Sequence, residues 1–329
     1  MAVLVTGAAG HIGSNIARTL IEQGEQVVGF DVAPPPPHSV LYPLVGKFPF
    51  VIGSILDLAL LLNTMKQHKV DGVIHLAAIM GGADQRPIET IRVNIEGTAN
   101  ILETGRIHGL RRVVSTSSFA AAGASGKDQS KLIPETEFAL PVNATDGIAP
   151  YASTKLMCEE LTCLYRLRFG VDAAIIRPAR VYGPGRPPGR SAGIAIEALL
   201  EKAFKKEPVS VPQGRETRID LTYIKDEVAG FLLAYRAPKL PNWLYNISSG
   251  RLYSIGEIVD AINRAFPQVS INVGPGEWRG IAVSDPHTGP NRPASDIARA
   301  RKDLGYEPKF ADLDKALPDY RAWVESKRY

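Results

Sequence analysis

Apolar positions along the first half of this chain switch repeatedly between a strand pattern and a helical one. Residues 2–5 (AVLV) are a short, largely β-branched apolar run that reads as a buried strand. Past Thr6-Gly7 the pattern becomes that of an amphipathic helix, starting near His11 and running through Ile12, Ile16, Leu20 and Ile21. Residues 26–30 are a second strand ending at Asp31, and residues 50–53 a third. A helix follows Asp57 to about residue 66, and residues 73–76 form a fourth strand ending in Ala77-Ala78. A long helix over 88–108 leads into a fifth strand at 112–116 and then Ser117-Ser118. After a polar rim loop over 123–149, a helix over 151–169 feeds a sixth strand at 173–177. Strands separated by helices predict a parallel, doubly wound α/β sheet of Rossmann type, with crossovers of one hand.

The pattern changes at Pro178, where PARVYGPGRPPGR is crowded with Pro, Gly and Arg, as expected where a chain leaves a sheet to build a pocket. Beyond it come a helix over 194–206, a short strand near Val209 and a return strand over 219–224. A helix over 226–234 rejoins the first domain, residues 243–247 add a strand, and two or three helices follow Ser254. The expected division is a dinucleotide domain of residues 1–178, with 222–250 returning to it. The smaller, mixed α/β substrate domain comprises 179–221 and 251–329.

The bulk composition narrows the function classes. The 329 residues suffice for a large core, and 45% apolar with 22% charged residues is ordinary for a globular protein. The net charge is only +4 and no basic run is interleaved with aromatics, so a nucleic-acid partner is not expected. No apolar run is long enough to cross a bilayer, and the chain opens directly on a strand, so neither a membrane partner nor a cleavable signal is expected. Cys158 and Cys163 fall on different faces of one predicted helix, without a ligand set. That suits a reduced cytoplasmic protein and no metal site.

The first strand-to-helix turn carries the candidate chemistry. A strand that turns on glycine into a helix gathers free backbone N–H groups at the positive end of the helix dipole, which is a pyrophosphate site. Gly7 permits the tight turn, Gly10 lets a phosphate approach the backbone, and Gly13 lets helix and strand pack closely, with His11 and Ile12 completing the turn. Asp31 follows the glycines by about twenty residues, where an acid accepts hydrogen bonds from the adenosine ribose. Its alternative is a simple loop cap. Residues 32–38 hold no Lys or Arg for a 2′-phosphate, so the cofactor expected is NAD rather than NADP. The stiff run Pro34-Pro35-Pro36-Pro37 frames the adenine edge or serves a partner domain.

Tyr151 and Lys155 stand four residues apart, hence on one helix face. A free tyrosine, with a pKa of about 10, is a poor base at neutral pH. A nearby cation and an oxidised nicotinamide favour the phenolate, which makes Tyr151 a candidate general base for a hydroxyl proton. Ser118, at the end of the fifth strand, is placed to hold the substrate oxygen. Thr116 and Ser117 are alternatives, because strand ends often carry hydroxyls for backbone groups.

Together TGAAGHIG, Asp31, Asp57, HLAA at 75–78, VNIEGT at 93–98, the serine run, YASTK and RPARVYGPG resemble the extended short-chain dehydrogenase/reductases, the NAD-dependent epimerase/dehydratase family. The resemblance continues through TYIKDEVAG at 222–230 and DIARARKDLGYEP at 296–308. It implies that Asp57 meets the adenine amino group and that Leu76, Ala77, Ala78 and Ile79 line the cofactor. It also implies that Lys155 holds the nicotinamide ribose, that Asn94 buttresses the active-site strands, and that the chain near Pro178 touches the nicotinamide amide. A dimer built on the helices around 88–108 and 151–169 is implied too. The second is broadly apolar, which core packing alone could also explain.

The departures bear on the substrate. Nucleotide-sugar members of the family usually have Asn where this chain has Arg180, and Arg-Asp where it has Ile219-Asp220, both gripping a diphosphate. Arg218 is one residue off register and points to the other face of a strand. Arg292, shortly before Asp296, is similar to an arrangement in small-substrate members such as threonine and erythronate dehydrogenases. Arg180 suits a carboxylate or phosphate through bidentate bonding, or else a structural salt bridge within the turn. The reading favoured is an NAD-dependent oxidoreductase acting at a carbinol carbon of a sugar, sugar acid or similar small polyol. The alternatives are a nucleotide-sugar epimerase or dehydratase that retains its NAD, and a non-enzymatic NAD-binding regulator, which would not need the Ser118/Tyr151/Lys155 set.

Overall fold

Side chains leave the first strand alternately for two cores. Ala2 and Leu4 enter one apolar cluster, Val3 and Val5 the other, and all four are buried. A strand covered on both faces needs apolar residues at every position, which is why residues 2–5 show no polar alternation. The computed structural model describes the chain apart from residues 84, 123–127, 129, 138–148, 188, 190–194, 279–292 and 327–329. Most of the expected rim loop over 123–149, and Arg292, lie outside the described residues.

In chain order the first half is β1 (Ala2–Thr6), α1 (His11–Glu22), β2 (Gln26–Asp31), β3 (Phe50–Ile52), α2 (Leu58–His68), β4 (Val70–His75), α3 (Pro87–Ile91), α4 (Gly97–His108), β5 (Arg112–Thr116), α5 (Ala149–Phe169) and β6 (Ala173–Pro178). Then follow β7 (Arg180–Tyr182), α6 (Ile196–Lys205), β8 (Val209–Val211), β9 (Arg218–Tyr223), α7 (Ile224–Arg236), β10 (Leu244–Ile247), β11 (Leu252–Ser254), α8 (Ile255–Ala265), β12 (Ile271–Val273), α9 (Ala298–Leu304) and α10 (Leu313–Ser326). Seven parallel strands form one sheet in the order β10-β6-β5-β4-β1-β2-β3. The order reverses between β1 and β4, so a crevice opens at their carboxyl ends, the place where such sheets bind ligands. The second half adds a mixed three-stranded sheet, β11-β9-β7, and the parallel pair β12-β8.

Several elements differ from the sequence pattern, each for a local reason. The helix expected over 88–108 is interrupted by a π-helical turn at Arg92–Glu96, with the buried Asn94 inside it. Arg180–Tyr182, expected as loop, is a strand because β9 lies beside it in parallel register. β11 and β12 have too few residues to show a period of their own and exist through their partners β9 and β8. The strand expected over 219–224 ends at Tyr223, since Ile224 already begins α7.

Candidate active site

The glycine turn is tight because nothing larger fits. Gly7 has φ +69°, and a Cβ there would stand 2.6 Å from the Ala77 nitrogen and 2.7 Å from the Leu76 carbonyl carbon. A Cβ on Gly13 would stand 2.2 Å from the Gly7 carbonyl oxygen, so α1 starts directly against the turn. Gly10 is exposed, with a Cβ position 3.1 Å from the same oxygen. β1, β4 and the head of α1 thus meet at one point, and the N-terminus of α1 faces the crevice without a side-chain cap.

Asp31 closes the turn from β2. Its Oδ2 accepts from the Ala9 amide at 2.9 Å and its Oδ1 from the Val32 amide at 2.7 Å. Burial pushes its carboxyl up, and those amides oppose the shift. The acid therefore caps the loop between β1 and α1 from the end of β2. Asp57 is the N-cap of α2, accepting from the Leu60 amide at 2.9 Å.

Behind the crevice, His75 ties β1 to α4. Thr98 gives its hydroxyl proton to the Asn94 carbonyl at 2.6 Å, so His75 Nε2, 3.2 Å away, is the donor to Thr98. His75 Nδ1 then accepts from Thr6 at 2.6 Å. Burial first, and then the Lys155 charge, push this imidazole down to about 3, so it stays neutral. Asn94 is a strut: its Oδ1 accepts from the Ile79 amide at 2.8 Å, and its Nδ2 donates to the Ile79 carbonyl and to the Thr154 hydroxyl, both at 2.9 Å. It fixes the 76–79 segment to α5 one residue before Lys155.

Ser118, Tyr151 and Lys155 come together. The Tyr151 phenol is hydrogen-bonded to the Ser118 side chain, and both residues are almost wholly buried. Lys155 Nζ lies 5.8 Å from the Tyr151 ring centroid and donates to the Thr116 carbonyl at 2.8 Å. Thr116 and Ser117 take other roles: Thr116 lends its carbonyl to Lys155, and Ser117 donates to Glu159. In the chain alone Tyr151 is not acidified. Burial pushes its phenol up despite the Ser118 hydrogen bond, and burial pushes the Lys155 ammonium down. The expected depression of the tyrosine by its lysine is absent here: burial first, and then Cys158, raise the phenol, and only the Ser118 hydrogen bond lowers it.

Glu159 and Arg177 form a buried bidentate pair at 2.7 and 2.6 Å, clamping α5 to the end of β6. Sequence reading missed both, although Glu159 lies four residues past Lys155, on the same helix face. Pro178 ends β6 at the mouth of the crevice, and Ala179 donates to the Ile247 carbonyl. Arg180, two residues on, is paired with Glu197 of α6. Arg218 is exposed while Ile219, on the opposite face, is buried, as the register argument expects; Asp220, on the face of Arg218, is buried as well.

The comparisons with known proteins agree with this architecture. The model of the NAD dependent epimerase/dehydratase family matches residues 3–248. A UDP-glucose 4-epimerase of Mycolicibacterium smegmatis is 33% identical over 325 residues, covering 94% of this chain and 95% of that protein. The crystal structure of Thermotoga maritima UDP-glucose 4-epimerase with UDP-glucose superposes with a TM-score of 0.81 at 25% identity, each chain being covered completely, 100%. An L-threonine 3-dehydrogenase from Trypanosoma brucei shares the fold with a TM-score of 0.81 at 24% identity, over 98% of this chain and 97% of that one.

Proposed function

The chain belongs to the NAD dependent epimerase/dehydratase family, and from that premise we propose a net oxidoreductase, moving hydride between NAD and a carbinol carbon of a sugar, sugar acid or similar small polyol. NAD is the family's cofactor, and the turn fits it: Gly7 and Gly13 leave no room for side chains, and Asp31 offers a carboxylate with no lysine or arginine over 32–38. When bound, it supplies the nicotinamide ring that accepts or returns hydride. The residues assigned to hold it are Gly7, Gly10, His11, Ile12, Gly13, Asp31, Asp57, Leu76, Ala77, Ala78, Tyr151, Lys155 and Pro178, with Asn94 acting through the 76–79 segment.

Tyr151 takes the hydroxyl proton as hydride leaves the same carbon, Ser118 holds the substrate oxygen against it, and Lys155 favours the phenolate. Burial raises Tyr151, so the added positive charge of an oxidised cofactor would favour its ionisation. The observation carrying the choice of a small substrate is the fate of the two anion-binding positions. Arg180 is taken up by Glu197, and Ile219 is an apolar core residue. A nucleotide-sugar epimerase is the second reading, favoured by what the bacterial relatives are called. A spectrophotometric panel of sugars, sugar acids and sugar nucleotides separates the two. Net NADH formation with a free polyol is expected; interconversion of a sugar nucleotide with no NADH release would overturn the proposal.

Residues 1–178 with 222–250 serve as the dinucleotide domain, and 179–221 with 251–329 as the substrate domain. The partner expected besides substrate is a second copy of the chain. Met157, Leu164, Leu167 and Phe169 of α5 and Ile107 of α4 are exposed apolar side chains on neighbouring helices, a stripe suited to a homodimer seam. A net charge of +4 offers little to nucleic acid. Among the described residues no helix is long and apolar enough to cross a membrane. The two free cysteines suit the reducing cytoplasm.

A further inference from the structure

Glu197 comes from a helix whose pattern gave no hint of chemistry. The side chain reaches β7, where Arg180 Nη2 donates to Oε2 at 2.6 Å and Nε lies 3.2 Å from both carboxylate oxygens. Arg186 Nη1 stands 3.4 Å from Oε1. The pair is shielded from water, with the Arg180 side chain 4% and the Glu197 side chain 11% exposed. Burial pushes the Glu197 carboxyl up, but the two guanidiniums outweigh it and hold the group below the usual range, so it is ionised at neutral pH. From α1, His11 faces the same cluster as a neutral imidazole, pushed down to about 3 by burial and then by Arg186. From α10, Tyr320 faces it as an un-ionised phenol, raised by burial and then by Glu197 itself. The carboxylate is therefore the anion of a cluster that joins the dinucleotide turn to the first strand beyond Pro178.

We propose that Glu197 is a specificity-determining residue, an internal anion seated where Arg180 would otherwise take an anionic group of a substrate, so that diphosphate-bearing substrates are turned away. This rests on the small-substrate reading above. The physical ground is that an arginine whose Nε and Nη2 edge already carries a carboxylate has no second fork to offer on that edge. A further anion brought against Glu197 away from water would meet like charge and be repelled. The arrangement selects against one substrate class instead of adding contacts to another.

The test uses UDP and uridine as probes, titrated calorimetrically into the NAD-loaded wild-type protein and its Glu197→Gln variant at fixed salt. The variant keeps the side-chain shape and removes the charge. The expected result is little or no UDP binding by wild type, a gain of at least about tenfold in the variant, and no comparable gain for uridine. Equal UDP affinity in both proteins, at an unchanged NAD affinity, would overturn the role of Glu197 and leave the small-substrate reading standing. Tight UDP binding by wild type would overturn both. Glu197→Ala purified in formate is the second variant, in case the first does not fold. Formate and UDP should compete for its vacated site, and UDP binding untouched by formate would count against the proposal.

Discussion

The Lys155 ammonium donates to the Thr116 carbonyl at 2.8 Å, on the strand end that precedes Ser118. That bond holds the ammonium 5.8 Å from the centre of the Tyr151 ring. Lys155 is almost fully buried, and the backbone oxygen it donates to has a position that follows from β5.

If Tyr151 is the proton acceptor, Tyr151→Phe should lower turnover by about 10²–10⁴-fold while NAD affinity stays nearly unchanged. Stopped assays on an active substrate together with NADH fluorescence titration separate the two quantities. A variant that loses NAD affinity instead would make the residue structural.

Asp31→Ala removes both the proposed ribose acceptor and the anchor of the Ala9 amide. NAD should weaken by about tenfold or more, and discrimination against NADP should relax. Cofactor titrations with both dinucleotides check this, and an unaltered preference would contradict the assignment.

Asn94→Ala breaks three hydrogen bonds that join the Ile79 backbone to α5. The residue is wholly buried, so a loss of about 2–4 kcal/mol is expected in denaturant unfolding, from the groups left unpaired. A change within a few tenths would show that the 76–79 strand end is held by other contacts.

Asp220 gives stability a pH dependence of definite sign. Burial raises its carboxyl from 3.8 to about 7, against hydrogen bonds from Ser295 and Ser248. The folded chain thus holds this proton more tightly than the unfolded one, so the contribution is complete below about pH 4 and is lost as pH rises through about 7. Buried Glu227 is raised as well, first by burial and then by Asp220 and Asp226, and acts in the same direction. Asp220→Asn keeps an acceptor for Ser295 and abolishes the titration. Between about pH 4 and 7 wild type should lose stability relative to the variant, by an amount on the order of 4 kcal/mol. Parallel unfolding curves across that window would refute it.

For the seam between copies, Leu167→Glu on the exposed side of α5 should convert a dimer to monomer in analytical ultracentrifugation, with an unchanged circular dichroism spectrum. A wild-type protein that sediments as a monomer would remove the proposed dimer.

Much was legible without coordinates because it is written in local order. The glycine turn, the buried parallel strands and the shared face of Tyr151 and Lys155 each follow from residues a few positions apart, where period and backbone freedom act directly. Asp31 could be found because a second strand must return beside the first. By contrast, the π-helical turn around Asn94, the short strands at Arg180–Tyr182 and Leu252–Ser254, and the partner of Arg180 depend on what another segment brings alongside. The protonation of Tyr151 belongs with them. Its sequence neighbours include a cation, but burial by the assembled sheet and helices decides the outcome. Sequence determined where the chemistry could sit, since backbone geometry and side-chain period are short-range. Only the tertiary structure decided which charges neutralise one another, since desolvation and ion pairing are set by distant segments meeting in space.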